Sequence, residues 1–308
     1  MARKSSPQIW IEYALARCVV AVFSILPLGT ALGLGMSVGS LLYRIFGRLR
    51  RVGETNLKLA FPEKSPAERE TILLGAFRSL GRSLGAISRV GRLSPKDLRS
   101  MIEFPDEAAL VEYRNAAEAG RGRIILSAHL GSWELMATAF PAVVEPIHLL
   151  ARRMDNPKIE SMILAMRTRF GNFQIDKINS AASIVRILRG GGAILILADI
   201  NTHPKEGVFV PYFGVDACTT TGVAMISIRT NSIILPTFLV WDEAKRKYVL
   251  TQGEPIEPSR SNDLKNDILE TTRRFTVEIE RIVRAYPDQW LWVHRRWKTR
   301  PPGKPEIY

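Results

Sequence analysis

From Cys18 through Tyr43 the chain carries no charged residue. As a helix, such a run is long enough to cross ~30 Å of hydrocarbon, so it predicts a membrane-anchoring helical segment. Pro27 and the surrounding glycines predict a kink within it. Two geometries stay open: a kinked span, or a re-entrant hairpin hinged at Pro27-Leu28-Gly29. A secretory signal peptide has a shorter apolar core, and no small-residue cleavage site precedes the basic stretch that follows. Arg44, Arg48, Arg50 and Arg51 come after the run, against Arg3, Lys4 and Arg17 before it with Glu12 opposing. Because positive charge marks the cytoplasmic side, the bulk of the chain is expected to face the cytoplasm. The pattern divides the chain into an N-terminal anchor, residues 1–53, and a folded domain, residues 54–308.

Beyond the anchor the periodicity changes twice. Residues 54–118 alternate helical spacing with breaks at Phe61-Pro62, Ser65-Pro66 and Ser94-Pro95. Ser65 followed by Glu68 predicts a capping box opening a helix that runs to Val90. Arg123 to Ala128 then reads as a buried strand, followed by a turn and a helix over Trp133–Ala139. Short strands are predicted at Ile147–Leu150, Ala193–Ala198, Ile233–Val240 and Lys247–Thr251. Helical spacing occupies Asn156–Phe170, Ala181–Leu188 and Asp263–Ala285, and Gly190-Gly191-Gly192 stops the second of these. Strand alternating with helix predicts an α/β fold: a mostly parallel central sheet with helices on both faces.

Composition narrows the partners. Of 308 residues 46% are hydrophobic, and the formal net charge is +13. That charge calls for an anionic partner: nucleic acid, an anionic membrane surface or an acidic carrier protein. The two cysteines, Cys18 and Cys218, suggest no disulfide framework, since Cys18 lies in the apolar run. The histidines at 129, 148, 203 and 294 are too scattered for a zinc signature.

The candidate chemistry lies in Ser127-Ala128-His129-Leu130-Gly131-Ser132-Trp133-Glu134. His129 falls at the C-terminal end of a predicted buried strand, where α/β sheets place their sites. With a turn at Gly131, Glu134 lands in the first turn of the next helix and can fold back toward the imidazole. A carboxylate on one ring N–H fixes the tautomer and leaves the other nitrogen free as a base. Spacing alone is equally met by a structural histidine capping the turn, with Glu134 simply favourable at a helix N-terminus. Gly35-x-Ser37-x-Gly39 fits the nucleophile-elbow pattern but sits in the apolar run, where no strand-to-helix turn is expected. There Gly29-x3-Gly33 and Gly35-x3-Gly39 read instead as small-residue helix packing.

The ordered set of motifs resembles the bacterial lipid A biosynthesis acyltransferases, the late lauroyl and myristoyl transferases of the glycerolipid acyltransferase-like superfamily. His129-x4-Glu134 matches the His-x4-Asp/Glu motif. It is followed by Ala151-Arg152 with Asp155-Asn156-Pro157, Arg167 to Gly171, Leu197-Ala198-Asp199, Gly207 to Gly214 and Thr221-Gly222. Trp290 to Pro301 closes the match. The short motif is weakly specific and the ordered set strongly so. One departure stands out: the family commonly carries Asp-Gln where this chain has Asp199-Ile200.

The resemblance implies a membrane-anchored O-acyltransferase using acyl carrier protein thioesters, with acyl-CoA the alternative co-substrate, and no metal or other cofactor. His129 would deprotonate a hydroxyl of a lipid A precursor (Kdo-lipid IVA-like), with Glu134 orienting and charge-balancing it. Arg152, Arg167 and Arg169 would bind the acceptor's phosphates or stabilise the oxyanion, and Asp199 would orient one of them. A solvated basic helix, and a turn or cap residue, are the plain readings of the same positions. The implied partners are acyl carrier protein, the lipid A precursor and the inner leaflet of the inner membrane, without nucleic acid. The segment His294 to Lys298 mixes cations with aromatics as nucleic-acid patches do; beside an anchor it reads as an interface belt, with His294 structural. Alternatives are acylation of another glycolipid or a lysophospholipid, hydrolysis by the same dyad, and a non-catalytic basic membrane-associated binding protein.

Overall fold

Pro27 ends one helix and begins another. The computed structural model describes residues 5–103, 110–151, 153–176 and 180–308, and in it α1 (Ser6–Ile25) and α2 (Leu28–Ile45) are separate elements. Leu26 and Pro27 between them are extended, because the pyrrolidine ring disfavours the α region at the residue before it. The expected single run from Cys18 to Tyr43 is therefore two helices. Each is long and apolar enough, by length and composition, to cross a membrane. α1 leaves Trp10, Ile11, Leu15, Val22 and Ile25 exposed.

α2 is held by α4 (Pro66–Ile87). A Cβ on Gly35 would lie 2.1 Å from the Gly81 carbonyl oxygen, and one on Gly39 would lie 2.2 Å from that of Phe77. The two backbones thus touch, as small residues permit. Gly29 and Gly33 have open space around them, so only the second predicted small-residue pair packs. α4 begins with the predicted capping box: Glu68 N–H donates to Ser65 Oγ, and Ser65 N–H donates to the Glu68 carboxylate at 2.7 Å. Residue 53, the expected edge of the anchor, lies within α3 (Gly47–Ala60). No breaker interrupts that helix, and Gly53 is tucked against the Leu73 side chain.

Among the described residues the sheet has seven strands. They are β1 (Ile102–Glu103), β2 (Arg123–Ser127), β3 (His148–Ala151), β4 (Phe173–Asp176), β5 (Ala193–Leu197), β8 (Ile233–Asp242) and β9 (Lys247–Gln252), in the order β1-β9-β8-β2-β5-β3-β4. Only the β8–β9 pair is antiparallel. A separate antiparallel pair, β6 (Gly207–Tyr212) with β7 (Val215–Thr220), lies outside the sheet. The central strands alternate their apolar residues between two cores, as a sheet covered on both faces must. Ile124, Leu126, Ile194, Ile196 and Phe238 meet Phe275, Ile279 and Ile282 of α11 (Leu264–Ala285). On the other face Ile125, Leu195, Leu235 and Leu239 meet Leu135, Met136 and Phe140 of α7 (Trp133–Val143).

The tail is not an interface belt. Trp290, Trp292, Trp297 and Arg296 are buried, and the three tryptophans belong to the first core. Arg296 is held inside by donating to the carbonyls of Cys218 (2.8 Å) and Ile200 (3.3 Å) and to Thr219 Oγ1, while its buried Nε is without a partner. These bonds offset part of the cost of desolvating the cation.

Candidate active site

Strands β2 and β5 are parallel neighbours in register, with Ser127 opposite Leu197. Each continues through a buried alanine, Ala128 or Ala198, into a polar residue, His129 or Asp199. The Ala198 N–H donates to Ser127 O at 3.1 Å, carrying the pairing one step past the strands. His129 and Asp199 therefore emerge side by side at the carboxyl edge of the sheet, where open α/β sheets bind ligands.

The contact is specific. His129 Nδ1 lies 2.8 Å from Asp199 Oδ1, and the His129 backbone N–H donates to Asp199 Oδ2 at 2.8 Å. The Trp290 indole N–H donates to the same Oδ2, also at 2.8 Å. With a carboxylate as acceptor, Nδ1 carries the proton and Nε2 presents a lone pair. Trp290 itself is fixed by an antiparallel bridge to Leu130, and Leu291 N–H donates to His129 O at 3.0 Å. The tail thus holds both members of the pair.

Gly131 makes the turn that follows. Its φ of +61° suits glycine, and a Cβ there would lie 2.0 Å from the Leu239 carbonyl oxygen. Gly131 N–H donates to Gln289 O and Ser132 N–H to Leu239 O, both at 2.9 Å. α7 then starts at Trp133, whose ring meets His129 edge-on at 5.2 Å between centroids.

Electrostatics shift His129 toward its charged form. Burial lowers the His129 pKa, but the Asp199 charge and hydrogen bond, with the Glu134 charge behind them, outweigh it and leave the pKa raised. For Asp199 burial acts upward, and His129 with the hydrogen-bond donors reverses it, lowering the pKa to about 2. Asp199 is thus a carboxylate throughout the physiological range. The His129 edge opens on a cavity of about 400 Å³ lined by Trp133, Glu134, Arg167, Leu195 and Ile200 among others. A larger cavity, about 720 Å³, lies by α9 (Ala181–Arg189) and α10 (Gly222–Thr230), but it offers three arginines and no acid–base pair.

Residues 2–299 match the family described as bacterial lipid A biosynthesis acyltransferase. The chain belongs to that family. It is an acyltransferase, similar over nearly its whole length to enzymes of known name. The Escherichia coli K12 lipid A biosynthesis lauroyltransferase is 28% identical over 304 residues, covering 98% of this chain and 96% of the relative. The palmitoleoyltransferase of the same organism is 27% identical, covering 98% and 95%. Its myristoyltransferase is 23% identical, covering 86% and 81%.

The acyltransferase brings together some of the expected residues and separates others. Glu134 does not hold His129. Its carboxylate is gripped bidentately by Arg167, Nε to Oε2 at 2.9 Å and Nη2 to Oε1 at 2.5 Å. The reason is local: Asp199 already occupies Nδ1, and a guanidinium fork on α8 (Pro157–Thr168) matches carboxylate geometry from the opposite side. Arg167 also donates to Gln174 Oε1 at 3.1 Å and lines the His129 cavity. Asp199, expected to orient an arginine, partners the histidine instead. Arg169 lies beyond the end of α8, its Nη2 3.5 Å from Leu93 O, and lines a different cavity. Arg152 lies outside the described residues. His294, read as structural, accepts the Asn201 N–H on its Nε2 at 3.0 Å, and burial lowers its pKa. Sequence reasoning missed Trp290 as a donor to Asp199 and Ile200 as a cavity wall. The repeated pattern of strand, alanine and polar residue at 127–129 and 197–199 was the available signal for the His129–Asp199 pair.

Proposed function

We propose that this acyltransferase moves a fatty acyl group from an acyl carrier protein thioester to a hydroxyl of a lipid A precursor of the Kdo-lipid IVA type. The observation that carries the reading is the His129–Asp199 pair, with Nδ1 engaged and the imidazole lining a cavity. Nε2 takes the proton of the acceptor hydroxyl as its oxygen attacks the thioester carbonyl. Asp199 fixes the tautomer and stabilises the imidazolium, and Trp290 holds Asp199 in place. The tetrahedral intermediate then collapses: the C–S bond breaks, and the imidazolium returns its proton to the departing thiolate. Arg167 retains N–H donors beyond those given to Glu134 and Gln174, and these suit the oxygen that gains charge. Glu134 keeps Arg167 aimed and adds negative charge near the imidazolium. No metal or organic cofactor enters these steps.

The same reading places α1 and α2 in the inner membrane and the sheet on its cytoplasmic side. The uncharged run, the exposed apolar residues of α1 and the basic flank from Arg44 to Arg51 support it. The deciding experiment is mass spectrometry of lipid A from cells with and without the gene. The expected result is one missing secondary acyl chain, restored by the wild-type gene and not by His129→Ala. Unchanged lipid A overturns the acceptor assignment. Release of free fatty acid from the thioester by purified protein, without any dependence on acceptor, overturns acyl transfer to an alcohol.

A further inference from the structure

A third cavity, about 570 Å³, opens between α1 and α8 on the side of α8 away from His129. Arg17 of α1, Arg92 after α4, and Lys158 and Arg169 of the α8 region line it, and no acidic side chain does. Its walls between the cations are apolar: Val20 and Ala21 from α1, Met162 and Met166 from α8. Glu12, the acid of α1, is turned to Gln8 and Asn156.

Two details mark the cavity as built for a ligand. Ser88 lines it and is buried, at 2% exposure, yet its Oγ has no hydrogen-bond partner. Buried hydroxyls are ordinarily satisfied. The neighbouring Arg89 Nε is also buried without a partner. In addition, Lys158 Nζ sits 3.6 Å from the centroid of the Trp10 ring, so this cation of the lining rests on an aromatic face. The exposed apolar residues of α1, Ile11, Leu15, Val22 and Ile25, belong to the same helix that forms one wall.

We propose that this cavity binds the phosphate head group of an anionic membrane phospholipid, with the glycerol and the start of the acyl chains along the α1 and α8 methylenes. Arg17, Arg92 and Arg169 supply charge-assisted donors to the phosphate, and the Ser88 hydroxyl supplies a neutral one. The inference rests on the reading of α1 as membrane-embedded. It would make the bilayer lipid a structural ligand that pins α1 to the domain, next to the helix whose Arg167 faces the catalytic cavity.

The test compares full-length wild type, Arg17→Gln/Arg92→Gln and a control pair on α9, Arg186→Gln/Arg189→Gln. Each is bound to phosphatidylcholine vesicles with and without phosphatidylglycerol. A cation near an anionic surface contributes a factor of about five in affinity. The first double variant should therefore lose about twenty-five-fold of the preference for phosphatidylglycerol, and the control should stay within about twofold of wild type. Where the wild type binds the vesicles, equal losses in both pairs, or none in the first, overturn the proposal. Calorimetric titration with monomeric short-chain phosphatidylglycerol reads the cavity without a bilayer. Binding there that Arg17→Gln/Arg92→Gln abolishes supports the site even where vesicle binding fails and the membrane reading falls. Acceptor kinetics in neutral detergent separate the sources of phosphate. An unchanged KM in Arg17→Gln/Arg92→Gln supports the bilayer lipid, whereas a KM raised about tenfold assigns the cavity to the acceptor and overturns the proposal.

Discussion

Replacing Asp199 by asparagine removes one charge while keeping the shape of a buried side chain. Two donors, the His129 backbone N–H and the Trp290 indole, converge on Oδ2, and one, His129 Nδ1, meets Oδ1. An asparagine satisfies most of these by turning its oxygen to the first pair. Its NH₂ then faces Nδ1, which must become the acceptor, and the ring proton moves to Nε2. That is the tautomer that cannot accept a proton from the hydroxyl. A wrong tautomer in a comparable histidine–carboxylate pair lowers kcat by ~10⁴, at the upper end of the ~10²–10⁴ that a general base contributes. The expected stability loss is small by comparison, about 1–3 kcal/mol for a hydrogen bond to a charged group. The assay is transfer from acyl carrier protein thioester to the lipid A precursor, alongside a denaturation curve and the ¹⁵N shifts of the His129 ring. Asp199→Asn protein that is folded and retains more than a tenth of wild-type activity, with Nδ1 still protonated, would refute the assignment.

The pH dependence follows from the same pair. His129 must be neutral to act as base, and its pKa is raised, so kcat/KM should climb as pH rises through a midpoint above the ordinary histidine value of about 6.5. Asp199→Asn should move the residual limb to lower pH; a limb that stays put contradicts the coupling. In stability terms the raised His129 pKa contributes fully below its unfolded value and is lost as pH rises through the folded one. Asp199, lowered to about 2, contributes above its unfolded value and is lost as pH falls toward 2. Glu134→Gln, which removes the charge facing Arg167 rather than the His129 contact, should lower kcat by about tenfold or more without altering the ring tautomer, checked by the same ¹⁵N shifts. Gly131→Ala forces a side chain into a left-handed turn against a carbonyl, at a cost of about 2–4 kcal/mol, read from a denaturation midpoint. Gly35→Val separates α2 from α4 and should cost about 1–3 kcal/mol; an unchanged midpoint would show that the two helices do not depend on close backbone contact.

Much of the frame was legible because it is local. β2, β5 and β8 announce themselves as short apolar runs, and the Ser65–Glu68 box is written in four consecutive residues. Four strands were missed: β1 and β4 are two and four residues long and carry little periodic signal, and the separate β6–β7 pair has Gly207 and Pro211 in one strand and Asp216 in the other. The site was half legible. His129 stands at a strand end that the pattern identifies, but its carboxylate partner is seventy positions away, brought near by strand pairing. Reading along the chain naturally favoured Glu134, five residues on, which the turn of α7 carries to Arg167. The tail tryptophans were misread for a related reason: mixed with arginines they look interfacial, and only the tertiary contacts of Arg296 and Trp290 show them to be interior.

The clamp of Trp290 on Asp199 has a consequence for biosynthesis. The sheet strands are complete once Gln252 has been made, and the α/β unit can begin to fold while the ribosome is still translating. Asp199 nevertheless lacks its indole donor, and the His129 loop its closing bridge, until the segment around Trp290 clears the exit tunnel. The nascent chain is thus expected to lack catalytic competence until the segment around Trp290 has emerged.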